Sequence, residues 1–100
     1  MKFDHIALCV DNIHQSIVWY EDNFNAQVKY WDDSWAMLDI CGTQIALTLA
    51  DKHPPHIAFS IDPAEDWQSG IEVNTHRDKS QYVYKKDPSG NTIELIKYIK

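Results

Sequence analysis

The chain is poor in positive charge: 9 Lys and Arg stand against 15 Asp and Glu, a formal net charge of −6 over 100 residues. Nucleic-acid phosphates demand clustered Lys and Arg, so no nucleic-acid partner is expected. Long apolar runs are also missing. Nothing approaches the roughly 20 residues needed to span a bilayer, so no membrane partner is expected. No apolar stretch of about 7–15 residues opens the chain at Met1-Lys2-Phe3-Asp4, so no secretory signal is expected. Cysteine is scarce. Cys9 and Cys41 make no disulfide framework, and they read as buried free thiols in a reducing cytoplasm. There is no glycine-rich phosphate loop, no nucleophile elbow and no Cys-x-x-Cys pair. What is present, 44% apolar residues and four tryptophans, suits one globular domain over residues 1–100.

One pattern occurs twice, about fifty residues apart. Asp4-His5-Ile6-Ala7-Leu8-Cys9-Val10-Asp11 returns as Pro55-His56-Ile57-Ala58-Phe59-Ser60-Ile61-Asp62. Each copy alternates as a strand, opens with histidine, closes with aspartate and leads into a helix-like stretch. The period implies two copies of one supersecondary unit, about 1–50 and about 55–100, joined by a short linker at Asp51–Pro55. In the first, a strand over 3–10 precedes a helix over roughly 12–23, capped by Asp11 or Asn12, with Ile13, Ile17 and Tyr20 at helical spacing. Strands follow at about 26–31, 35–40 and 43–49. In the second, strand 56–61 ends at Asp62-Pro63-Ala64-Glu65, a strong helix start. A short helix ending at Gly70 is expected, then strands at about 71–76, 81–86 and 91–98.

Alternation sorts each strand into two faces. Ile6, Leu8 and Val10, Ile45, Leu47 and Leu49, Ile57, Phe59 and Ile61, and Ile93 and Leu95 make an aliphatic face for helices to cover. The other face carries His5, Ala7 and Cys9, Ala46 and Thr48, His56, Ala58 and Ser60, and Glu94. Two readings of this small, polar face are open: the lining of a concave cavity, or a solvent-exposed outer face. Alanine and threonine fit the cavity better, since a core of such residues leaves voids and exposed strands favour longer polar side chains. Two imidazoles and a carboxylate make a divalent-metal ligand set with open positions, suited to Fe, Mn, Co, Ni or Zn. The other reading of Glu94 is a carboxylate hydrogen-bonded to a histidine with no metal.

These motifs, with Tyr84-Lys85-Lys86-Asp87-Pro88-Ser89-Gly90-Asn91-Thr92-Ile93-Glu94-Leu95 near the end, resemble the vicinal oxygen chelate superfamily. That group includes glyoxalase I, fosfomycin resistance proteins, extradiol dioxygenases, methylmalonyl-CoA epimerase and bleomycin resistance proteins. The resemblance implies an α+β fold in which two pseudo-symmetric βαβββ modules form an open, cupped, eight-stranded mixed sheet. It carries the family's metal ligands over to His5, His56 and Glu94. It also marks a departure: Ala46 stands where glyoxalase I has a fourth-strand glutamate that is both ligand and proton-transfer base. The first histidine is followed two residues on by Ala7, where the fosfomycin enzymes have threonine.

Around that set, Tyr82 and Tyr84 share a face. Tyr84 is the candidate catalytic residue, donating a hydrogen bond to a substrate oxyanion, or else it packs at the strand edge with its hydroxyl in water. Trp35 and Met37 form an apolar substrate wall, or serve core or dimer contact. Arg77, beside His76 in a rim loop, clamps an anionic substrate or is simply solvated. Four tryptophans and a trimmed second module point to a homodimer. The expected function is a metal-dependent lyase, isomerase, transferase or dioxygenase acting on a small molecule. The alternative is a non-catalytic binding or sequestration protein of the bleomycin resistance type.

Overall fold

The computed structural model describes residues 1–68 and 70–98. Strand β1 (Lys2–Val10) leads into helix α1 (Ile13–Phe24), followed by β2 (Gln27–Trp31), β3 (Trp35–Ile40), β4 (Thr43–Leu49) and β5 (His56–Ser60). The chain closes with β6 (Asn74–Thr75), β7 (Gln81–Lys86) and β8 (Thr92–Lys97). The eight strands make an open mixed sheet in the order β2-β3-β4-β1-β5-β8-β7-β6. Two compact units divide the chain: residues 5–56, and residues 1–4 with 57–100.

In the unit of residues 5–56, α1 starts where Asn12 accepts the Gln15 amide on its side-chain oxygen at 2.8 Å. It stops at Asn25, whose left-handed backbone (φ 54°) returns its N–H to the Glu21 carbonyl. The helix buries Ile13 and Ile17 against Ala36, Leu38 and Leu47. Those positions share a face because β3 and β4 are antiparallel with Ala36 opposite Leu47 and Leu38 opposite Ile45. Parallel pairing of β1 with β4 sets Leu8 beside Leu47 and Ile6 beside Ile45. The aliphatic face is thus continuous under the helix.

Among the described residues of the other unit there is no helix between β5 and β6, contrary to the expectation for Asp62–Gly70. The capping signal is used, but for one turn: Asp62 accepts the Ala64 amide on its carboxylate (2.9 Å) and the Glu65 amide on its carbonyl (3.0 Å). The segment then works through side chains instead. Trp67 donates to Gln81, Gln68 accepts from Lys85, and the Lys97 ammonium, which donates to the Glu65 carbonyl, lies 4.4 Å from the Trp67 ring centroid. Without a helix the aliphatic face is only partly covered. Ile57 is 41% exposed, and a cavity of about 300 Å³ is lined in part by Ile61, Trp67, Ile71, Val83 and Leu95. The sixth strand shrinks accordingly, from the expected 71–76 to two residues. Among the described residues no helix is long and apolar enough to cross a membrane.

Two substitutions test this account by urea denaturation. Asn12→Ala is expected to cost about 1 kcal/mol by removing the cap. Leu47→Ala, at a side chain with 0% exposure, is expected to cost about 2–5 kcal/mol.

Candidate functional site

The face opposite α1 in the unit of residues 5–56 is built in rows. Ala7 lies beside Ala46, which lies opposite Met37; one pleat on, Cys9 lies beside Thr48, which lies opposite Trp35. Ala7, Ala46 and Thr48 are buried, while Met37, Trp35 and Cys9 are half-buried. The Cys9 thiol donates to the His53 carbonyl at 3.2 Å. Cys41, expected to be buried, is exposed in the turn between β3 and β4. The Trp35 ring leans on Tyr30 at 5.0 Å between centroids.

At the ends of the same unit, His5 and His56 are both 8% exposed. Their rings meet edge to face with centroids 5.4 Å apart, and a ring nitrogen of each lies within 4.8 Å of the other. The His56 Nδ1 is 2.7 Å from the Pro54 carbonyl, an atom that can only accept, so Nδ1 carries a proton. In the neutral ring the lone pair then sits on Nε2. A backbone carbonyl that sets the tautomer in this way is the usual support for a metal-binding imidazole.

In the unit formed by residues 1–4 and 57–100, Ala58 is buried, Ser60 half-buried and Glu94 1% exposed. β7 runs antiparallel to β8 with Tyr84 directly opposite Glu94 and Tyr82 opposite Ile96. The Glu94 Oε2 accepts from His76 Nε2 at 3.0 Å. His76 in turn stacks on Tyr82, with centroids 3.8 Å apart and planes 14° from parallel, and Tyr82 meets Tyr84 edge-on at 5.2 Å. Arg77 is exposed in the turn that follows.

Exposure as an outer sheet face does not describe the small, polar side of these strands, since both histidines, Ala7, Ala46, Ala58 and Glu94 are all buried. His76 is the residue that sequence reasoning left at the rim. A signal for it existed: the turn over Arg77–Lys79 pairs His76 with Ser80, and the two-residue period then aligns it with Tyr82 and Tyr84.

Burial first, and the Glu94 carboxylate second, raise the hydroxyl pKa of both Tyr82 and Tyr84, and Tyr84 is pushed beyond the ordinary phenol range. A raised phenol pKa means the folded state holds its proton more tightly than the unfolded state. The associated stability is complete below the ordinary value of 10.0 and is lost as pH climbs toward the folded value. Ultraviolet titration of the folded protein is expected to show late-ionising tyrosines, with Tyr84→Phe deleting one of them.

A family model for the Glyoxalase/Bleomycin resistance protein/Dioxygenase superfamily matches residues 2–69. Among solved structures, a superfamily member from Vibrio splendidus 12B01 superposes with a TM-score of 0.70 at 14% identity, covering 95% of this chain and 97% of that one. Methylmalonyl-CoA epimerase from Mycobacterium tuberculosis gives 0.68 at 19% identity, over 99% of this chain and 89% of its own. A variant Streptomyces coelicolor methylmalonyl-CoA epimerase in complex with 2-nitronate-propionyl-CoA gives 0.70 at 17%, over 100% and 99%. At these identities the structural likeness establishes the open eight-stranded α+β fold, and the match over residues 2–69 places the chain in the Glyoxalase/Bleomycin resistance protein/Dioxygenase superfamily.

Proposed function

We propose that this protein is a divalent-metal-dependent enzyme for a small molecule bound through its oxygen atoms, with His5, His56 and Glu94 as the metal ligands. The observation that carries the reading is the buried imidazole pair, with ring nitrogens within 4.8 Å and one tautomer set by the Pro54 carbonyl. Glu94 supplies the carboxylate of the proposed ligand set, and all three residues are buried. Two imidazoles and a carboxylate are a donor set that suits a divalent cation. A divalent ion there supplies Lewis acidity toward a substrate oxygen.

The chain's own groups divide the remaining work. In the unit of residues 5–56, Met37 and Trp35 are the apolar wall for substrate beside the small side chains of Ala7, Ala46, Thr48 and Cys9. In the other unit the substrate-contacting candidates are Ala58, Ser60 and Tyr82. Tyr84 acts as a hydrogen-bond donor and not as a base, because its proton is held tightly at neutral pH. Arg77 meets an anionic substituent at the rim. A cytoplasmic homodimer completes the reading, supported by the exposed apolar side chains of Trp19, Phe24 and Trp31.

One observation favours the second reading, a binding protein without turnover: Ala46 is buried between Ala7 and Met37 and offers no carboxylate to move protons. Metal analysis of untagged protein purified without chelator separates the two. A stoichiometric divalent ion is expected, falling below ~0.1 per chain in His5→Ala, His56→Ala or Glu94→Ala. Wild-type protein below that figure, and unable to take up added metal, would overturn the enzyme reading in favour of the binder.

A further inference from the structure

We infer that His76 is a positioning residue for the Glu94 carboxylate, a role that rests on the metal reading above and extends it to a residue outside the ligand set. Glu94 lies on β8 with 1% exposure, and its terminal carboxylate torsion is soft. Something must hold that carboxylate in one orientation for it to serve as a directed ligand. His76 does so with a donated hydrogen bond: the carboxylate can only accept, so Nε2 carries the proton in the 3.0 Å contact to Oε2.

The donor is itself held on two sides. Its ring stacks flat on Tyr82 at 3.8 Å. Its backbone N–H reaches the Ser80 carbonyl at 2.9 Å and its carbonyl accepts from Lys79 at 3.0 Å. Lys79 sits in the left-handed region, φ 75°, and the turn is tied by Asp78, whose carboxylate accepts from the Ser80 amide at 2.9 Å and its hydroxyl at 2.6 Å. A histidine merely solvated at a rim has no need of a tied turn and an aromatic platform. Partners of ligating carboxylates characteristically change metal affinity by roughly 10- to 100-fold when removed.

Cobalt(II) binding, followed by calorimetry and by the visible absorption of the bound ion, tests the role without any assay of turnover. His76→Phe keeps a flat ring for Tyr82 but has no donor, and its dissociation constant is expected to rise roughly 10- to 100-fold with an altered cobalt spectrum. His76→Gln retains an N–H donor and is expected to recover most of the affinity and the wild-type spectrum. Wild-type affinity in His76→Phe, while Glu94→Ala abolishes binding, overturns the positioning role and leaves the metal reading intact. Equal weakening in His76→Phe and His76→Gln also overturns it, as the mark of a purely structural residue. Absence of cobalt binding in the wild type removes the metal reading and this role together. Should His76→Phe fail to fold, Tyr82→Leu carries the test: weakened cobalt binding supports the role, and unchanged binding overturns it.

Discussion

The parallel register of β1 against β4 is the constraint on which the unit of residues 5–56 depends. Ile6 to Val10 lie beside Ile45 to Leu49 one for one, so a single alignment decides both faces. Aliphatic side chains line up beneath α1, and Ala7, Ala46, Cys9 and Thr48 line up on the reverse. A slip of one residue exchanges the faces completely. A slip of β1 would drive Leu8 out of the face under Ile13 and Ile17 and put alanine where the core needs bulk, while Leu47 stays held by β3. The hydrophobic contact with α1 therefore also aims the polar face, because the two are set by the same hydrogen-bond ladder.

The repeat in the sequence is real at the level of strands and fails at the level of the helix. Both copies of the histidine-led strand form, and the tracts at 35–40, 43–49 and 81–86 coincide with β3, β4 and β7. These segments alternate cleanly and end in strong turns, such as Asp87–Gly90, where one Asp87 carboxylate oxygen accepts the Ser89 and Asn91 amides. The segment from Asp62 carries an N-terminal capping signal of good quality, yet capping stabilises a helix only where a helix can propagate. α1 has twelve residues and two buried isoleucines to anchor it. After Glu65 the second copy has Trp67, which instead serves as platform for the buried Lys97, 4% exposed. Capping chemistry is local and legible; whether a face exists for the helix to bury is decided by residues thirty positions away.

The candidate site was legible to the same extent. Which residues share the polar face follows from period two, and Tyr84 opposite Glu94 follows from the Asp87–Gly90 hairpin. His76 did not follow so readily, because the strand just before it is only two residues long and its placement depends on a turn with a left-handed lysine. A short edge strand gives few alternations, so the two-residue period speaks for His76 only once the turn over Arg77–Lys79 has been placed. The pairing His76 makes gives the Glu94 carboxylate a histidine partner from outside the repeated motif.

The helix-covered core and the hydrogen-bonded polar groups are divided unequally between the two units. Residues 5–56 hold the helix, the aliphatic core and the imidazole pair, and the row of Ala7, Ala46 and Met37 contains no group that can take a proton. The described residues of 57–100 form no helix but gather Glu94, His76, Tyr82 and Tyr84 along one pair of strands and the adjoining turn. With Ala46 in the fourth strand, the first repeat offers no carboxylate beside Ala7 and Met37. The stack of His76 on Tyr82, tied to the buried Glu94, lies wholly on the second repeat, so the polar groups of the two repeats are set by separate pairs of strands.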